Sequence, residues 1–333
     1  MNLPQSLLRI IFLKAVKGVS NISVCILNLN PCYDHWIILK KRPAIENVIR
    51  GDEVIRLVDG KGLNIARVMT NVLDFKDYFC INVLGGEVGK IIEYECKVEG
   101  INTKNFWIKD TSRINTAIVY EYENRMTMIN EPGPKMSNQE IGEFKSFFKE
   151  NLNGVSRLII SGSAAKGFDG ENLVEIIEFA RNKGCRIEID IAGKWLKELI
   201  KVSPELIKIN ADELKIAFGI AKNDLKGMES FRVSNGIETL IITNGKDGSF
   251  TFSNEGIFNV RSKKIYSDFS VGSGDSFFAG LIYGLEKKLG LKESLKIATA
   301  CGTANTLRYG AAIFDKNDLK SVLPEVVIVE VQL

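Results

Sequence analysis

Apolar residues along this chain fall into two alternating rhythms. Short β-rich runs occur at Ile22–Leu29, Tyr78–Leu84, Arg157–Ser161, Arg186–Ile191, Leu206–Ile209 and Leu240–Thr243. Longer segments with apolar positions at helical spacing lie at 62–74, 87–99, 138–151, 171–183, 224–235, 276–289 and 292–308. This alternation predicts a mostly parallel central sheet covered by helices on both faces. Such sheets bind ligands beyond the carboxyl ends of their strands, so the residues just after each strand are the first candidates for chemistry. Two stretches break the rhythm: 36–58 and 106–129 read as strands without an intervening helix, as in Thr116-Ala117-Ile118-Val119-Tyr120. They predict a small, discontinuous β-sheet lid on an α/β core formed by 21–35, 59–105 and 130–333.

Composition narrows the class. The chain of 333 residues is 45% hydrophobic and 26% charged, the profile of a soluble globular protein. Its net charge is only +3 and no long basic block occurs, which argues against nucleic acid as the main partner. Six cysteines are scattered with no C-x-x-C pair, so reduced thiols in a cytoplasmic protein are the simplest reading and a zinc site is not expected. The single histidine, His35, excludes mechanisms that need two histidines and reads as structural. Residues 1–20 read as an N-terminal extension, because Arg9 and Lys14 bracket an apolar run too short for a secretory signal. No apolar run approaches the roughly 20 residues that cross a bilayer.

The richest segment is Ser270-Val271-Gly272-Ser273-Gly274-Asp275-Ser276-Phe277-Phe278-Ala279-Gly280. A glycine loop runs into an apolar helix with one carboxylate at its mouth. Backbone N–H groups there attract anions, and a base beside such an anion hole suits phosphoryl transfer. Its bland reading is a glycine turn with Asp275 as a cap. Asp59-Gly60-Lys61-Gly62-Leu63-Asn64 is a second glycine turn opening a helix, with a cation and an amide for a hydroxylated ligand; alone it reads as a solvated turn. Asp34, after the first strand, could accept hydrogen bonds from sugar hydroxyls or be a plain turn aspartate. Asn210 and Glu213 have the spacing of a capping box, or of oxygen ligands near a magnesium-bound phosphate. Thr243-Asn244-Gly245-Lys246-Asp247-Gly248 is a hairpin turn or a nucleotide loop. The P-loop motif is absent, and Phe277 replaces the third glycine of a dinucleotide fingerprint.

Taken in order, Asn30-Pro31-x-x-Asp34, Gly60-Lys61-Gly62-x-Asn64, Asn210-x-x-Glu213, Thr243-x-Gly245-x-x-Gly248 and Gly272-x-Gly274-Asp275 resemble the PfkB (ribokinase-like) carbohydrate kinase family over about residues 22–320. The resemblance is strongest to its phosphosugar branch, the 1-phosphofructokinases and tagatose-6-phosphate kinases. It implies a ribokinase-like three-layer α/β/α fold, ATP as co-substrate, Mg2+, and a homodimer formed through the lid. It also implies that Asp275 is the base, with the amides of Gly272, Ser273 and Gly274 neutralising the migrating phosphoryl group. Asp34, Gly60, Lys61 and Asn64 would grip the sugar, and Arg113, with Arg50 and Ser163, would face the phosphate already on it. Lys208, Asn210 and Glu213 would lie near the ATP phosphates and metal, Thr243, Gly245 and Gly248 along the nucleotide, and Asn305 near the adenine. Fructose 1-phosphate is the expected substrate, with tagatose 6-phosphate, fructose 6-phosphate, an unphosphorylated sugar or nucleoside, and a non-catalytic binder as alternatives. Three departures stand out: Asp59 where the family usually has a glycine, Ala164-Ala165 where the branch has Leu-Pro, and Ser270 where threonine is frequent.

Overall fold

The computed structural model describes residues 23–43, 48–191, 193–262 and 269–333. The expected N-terminal extension lies outside the described residues. The strands are β1 (Val24–Asn28), β2 (Cys32–Leu39), β3 (Glu53–Asp59), β4 (Tyr78–Gly85), β5 (Thr103–Ile108), β6 (Arg113–Tyr120) and β7 (Arg125–Asn130). They continue with β8 (Arg157–Ser161), β9 (Arg186–Asp190), β10 (Leu206–Asn210), β11 (Thr239–Thr243), β12 (Ser249–Ser253), β13 (Gly256–Arg261) and β14 (Val327–Val331). Ten of them form one sheet in the order β14-β13-β12-β11-β10-β9-β8-β1-β4-β5. Every pair from β11 to β5 is parallel, and β12, β13 and β14 extend the edge antiparallel.

Sequence explains why both faces are covered. All five residues of β1 are buried, as in a strand flanked by helices on each side. Alternation along the strand sends Val24 and Ile26 to one apolar cluster and Cys25 and Leu27 to another. The first cluster packs under the helices Ser273–Glu286 and Leu291–Ala304, the second under Asn138–Asn151 and Gly170–Asn182. Helix Ser273–Glu286 buries every residue from Asp275 to Gly284, which its unbroken apolar composition foretells.

The small sheet has the order β3-β2-β6-β7, and Trp36, Ile38, Leu57, Ala117 and Val119 on its inner face pack against Phe269 and Ala311 of the large body. Two details differ from the expected lid. β2 starts at Cys32, so Asp34 sits in a strand of the small sheet and not in a turn. Residues 106–108 close β5, the outer strand of the large sheet, where Phe106 packs on Phe144 at 5.4 Å between ring centroids. Absent from the expected elements are the short helices Lys194–Leu199 and Lys316–Val322 and the edge strands β12 to β14. Each is short or half-exposed, so its periodicity is weak. Among the described residues no helix is long and apolar enough to cross a membrane.

Candidate active site

A cleft of 750 Å3 opens where the carboxyl ends of β9, β10 and β11 meet the small sheet and the start of helix Ser273–Glu286. At its centre is Asp275, in the first turn of that helix and 6% exposed. Burial, the leading cause, raises its pKa to about 6; Asp190 adds to this, while Lys61, Lys208 and a hydrogen bond from Asn64 hold it down. A carboxylate so tuned is ionised at neutral pH yet basic enough to accept a proton.

Gly272 precedes the helix with φ 79°, in the left-handed region, and a Cβ there would lie 2.6 Å from the Ala312 amide nitrogen. Only glycine lets the loop pass this close; the Ser273 N–H is tied back to Ser270 O at 3.0 Å, which leaves the Gly274 N–H as the first-turn amide beside the cleft. Asn305 secures the same loop. Its Nδ2 donates to Val271 O (2.8 Å) and Ser273 Oγ (2.9 Å), and its Oδ1 accepts from the Ala312 N–H (2.7 Å). Asn305 is fully buried and absent from the cleft lining, which corrects the expectation that it borders an adenine.

Two lysines supply positive charge, held by a carboxylate that sequence reasoning passed over. Asp190, the last residue of β9, is 2% exposed and pairs with Lys61 Nζ at 3.1 Å and Lys208 Nζ at 2.9 Å. Burial works to raise the Asp190 pKa, but the two ammonium groups outweigh it and keep the carboxylate ionised. Burial works to lower that of Lys61, and Asp190, Asp275 and Glu213 outweigh it in turn. The available signal was its position: a lone carboxylate at the carboxyl end of a buried parallel strand.

The opposite end of the cleft is built by strand register. Cys32 of β2 lies across from Asp59 of β3 and from Arg113 of β6, which gathers the three side chains beside Asp34. Asp59 is 7% exposed and does not point away from the cleft. Its Oδ1 accepts from the Gly60 N–H and from Asn64 Nδ2 (2.7 Å), and the same amide donates to Asp275 Oδ2 at 2.8 Å. Arg67 donates to Asn64 Oδ1 (3.0 Å), fixing which way that amide faces. Burial first, then the charge of Asp34 and a hydrogen bond to it, push the Asp59 pKa up to about 8. Arg113 lines the cleft and donates to Asn30 O at 3.1 Å.

The remaining expected residues separate clearly. Asn210 and Glu213 line the cleft and also form a capping box, Glu213 N–H to Asn210 Oδ1 at 2.8 Å and Asn210 N–H to Glu213 Oε2 at 3.1 Å. Thr243, Gly245 and Gly248 line it beyond β11; Gly248 has φ 89°, with the Val260 carbonyl 2.2 Å from where a Cβ would be. Ser163 is exposed, accepts from Asn30 Nδ2 at 3.0 Å and is not on the lining; Arg50 is exposed and not on it either.

A glycine loop at a helix mouth, a buried carboxylate and paired lysines at the open edge of an α/β sheet are the kind of groups that phosphoryl transfer uses. The chain belongs to the pfkB family of carbohydrate kinases, whose pattern matches residues 27–317. It is 30% identical over 311 residues to a tagatose-6-phosphate kinase of Staphylococcus epidermidis, covering 92% of this chain and 99% of that one. It is 29% identical over 306 residues to a 1-phosphofructokinase of Borreliella burgdorferi, covering 90% and 96%. The fold matches that of Escherichia coli phosphofructokinase-2 crystallised with substrates and products, with TM-score 0.83, 23% identity and coverage of 91% and 98%. The ribokinase-like architecture expected from sequence is therefore present.

Proposed function

We propose that this kinase transfers the γ-phosphoryl group of ATP to a hydroxyl of a phosphorylated ketohexose, with fructose 1-phosphate as substrate and fructose 1,6-bisphosphate as product. The observation that carries the reading is Asp275, buried at a helix mouth between the glycine-loop amides and the Lys61–Asp190–Lys208 cluster. In this reading Asp275 removes the proton of the attacking hydroxyl. The amides of Gly272 and Gly274 and the two lysines stabilise the charge on the transferred group, while the Ser273 N–H holds the loop through Ser270 O. Asn64 steers the base while Asp34 and Gly60 receive the sugar. Arg113, at the far end of the cleft, supports a substrate that already carries a phosphate, because a guanidinium suits that group.

ATP fits the side bounded by Lys208 and the Thr243–Gly248 turn. The side-chain oxygens of Asn210 and Glu213 on the cleft lining are hard donors that suit the hydration shell of Mg2+, which would offset phosphate charge there. In this reading the enzyme acts in the cytoplasm with strands β2, β3, β6 and β7 as a lid, and a homodimer through that lid is supported by exposed Val48, Ile49, Val54 and Ile129 on or beside those strands.

A coupled ADP-release assay over fructose 1-phosphate, tagatose 6-phosphate, fructose 6-phosphate, fructose and a nucleoside tests this. Turnover strongest with fructose 1-phosphate is expected. Preference for tagatose 6-phosphate would move the substrate within the class, and preference for an unphosphorylated acceptor would overturn the phosphosugar reading.

A further inference from the structure

We propose that Asp59 is a carboxylic acid that donates its proton to Asp34, so that the sugar end of the cleft carries one negative charge from this pair instead of two. The inference deepens the phosphosugar reading and rests on it for its kinetic consequence alone. Geometry carries it. One carboxylate oxygen of Asp34, one of Asp59 and Cys32 Sγ lie within 4.8 Å of one another, all three residues buried. Asn115 Nδ2 reaches Asp34 Oδ1 at 3.0 Å, but among the described residues no donor reaches Asp34 Oδ2, which is shielded from solvent. A buried carboxylate oxygen left bare is costly, and a proton on the facing carboxyl group removes that cost.

The neighbours of Asp59 favour the same proton. Its Oδ1 is already engaged by the Gly60 N–H and by Asn64, so Oδ2 is the oxygen left to carry hydrogen. From β2 it faces Asp34 and the Cys32 thiol, which burial first and then both carboxylates hold well above its usual pKa. Arg113 approaches from β6, Lys61 and Arg67 from the helix Lys61–Arg67, and Asp275 from the helix beyond. Arg67 is committed to Glu99, Val58 O, Ala311 O and Asn64, and Lys61 to Asp190, so neither forms an ion pair with Asp59. Asp59 thereby acts as a specificity-determining residue. While protonated it spares the substrate phosphate a second opposing anion, and it keeps Asn64 aimed at Asp275.

Two measurements on the full chain test this. Infrared difference spectra of the substrate-free enzyme between pH 7 and pH 9 read the proton directly: a protonated-carboxyl C=O band is expected to disappear on titration. That band is expected to be missing from Asp59→Asn, whose amide can still donate to Asp34. Kinetically, kcat/KM for fructose 1-phosphate is expected to fall about tenfold from pH 7 to pH 9, through KM and not kcat, and to stay level in Asp59→Asn. A band that persists in the variant, or no band in the wild type, overturns the proposal; so does an alkaline fall retained by Asp59→Asn. Because the infrared arm needs no substrate, it decides the proton even if fructose 1-phosphate proves not to be the acceptor. Should Asp59→Asn not fold, Asp34→Asn is read in the same way: the band is then expected to shift, and an unshifted band overturns the pairing.

Discussion

Replacing Lys61 with methionine separates the electrostatic tuning of Asp275 from every other role of the site. Lys61 is foremost among the groups that hold the Asp275 pKa down against burial, and the native balance sets it at about 6. A nearby opposite charge typically lowers a carboxylate by about 1–3 units. The lower end applies here, because Lys61 shares its charge with Asp190 at 3.1 Å and its side chain is 36% exposed. Lys61→Met is therefore expected to move the acid limb of kcat/KM up by about one unit, from about 6 to about 7. With a base of pKa about 6, the ratio of kcat/KM at pH 7 to that at pH 5 is about 10; with one of about 7, it is about 50. Loss of a phosphate contact scales both pH points equally and leaves this ratio alone, and ionisation of the substrate is common to both proteins. A pH–rate series from 5 to 7.5 in the coupled assay, wild type beside variant, reads the shift. An acid limb that stays in place or moves down would show that Asp275 is not the titrating base.

Three further outcomes follow from the same geometry. Asp275→Asn preserves the shape next to Asn64 and is expected to lower kcat by about 10^2–10^4 while calorimetric ATP affinity changes less than about threefold. Near-normal turnover would exclude Asp275 as the base. Arg113→Ala is expected to raise KM for fructose 1-phosphate by about 10–100-fold, the worth of a hydrogen bond to a charged group, and to leave KM for fructose nearly unchanged. Equal effects on both sugars would place the substrate phosphate elsewhere. Gly272→Ala forces a side chain into the left-handed region and against the Ala312 amide, at a cost of about 1–3 kcal/mol in urea unfolding together with loss of turnover. A variant with native stability would mean that the loop relaxes freely.

How far the site was legible depended on whether its chemistry was local. Gly272, Gly274, Asp275, Lys61, Asn64, Asn210 and Glu213 lie within glycine turns or cap motifs, where short spacing alone constrains the backbone. Asp190 escaped notice because one carboxylate at a strand end has no local pattern; its meaning comes from two lysines that are distant in the chain, Lys61 and Lys208. Asn305 was misplaced for a different reason. Its place near the adenine was implied by the family resemblance and by no local pattern, and here it turns inward to brace the loop at Val271 and Ser273.

By itself the order of residues determined the alternation of strands and helices, the burial of the central strands on both faces and the glycine turn ahead of Asp275. All of these follow from periodicity and from the conformational freedom of glycine, which act over a few residues. Tertiary structure alone decided that β2 begins at Cys32 and pairs with β3 and β6 in a register that sets Asp34, Asp59 and Arg113 together. Register is chosen by the packing of Trp36, Ile38, Leu57 and Val119 against the main body, and a one-residue slip would turn those side chains to solvent. The charge state of the cleft is likewise a property of the fold, because burial and neighbouring charges, which no linear spacing encodes, hold Asp275 near 6 and Asp59 near 8.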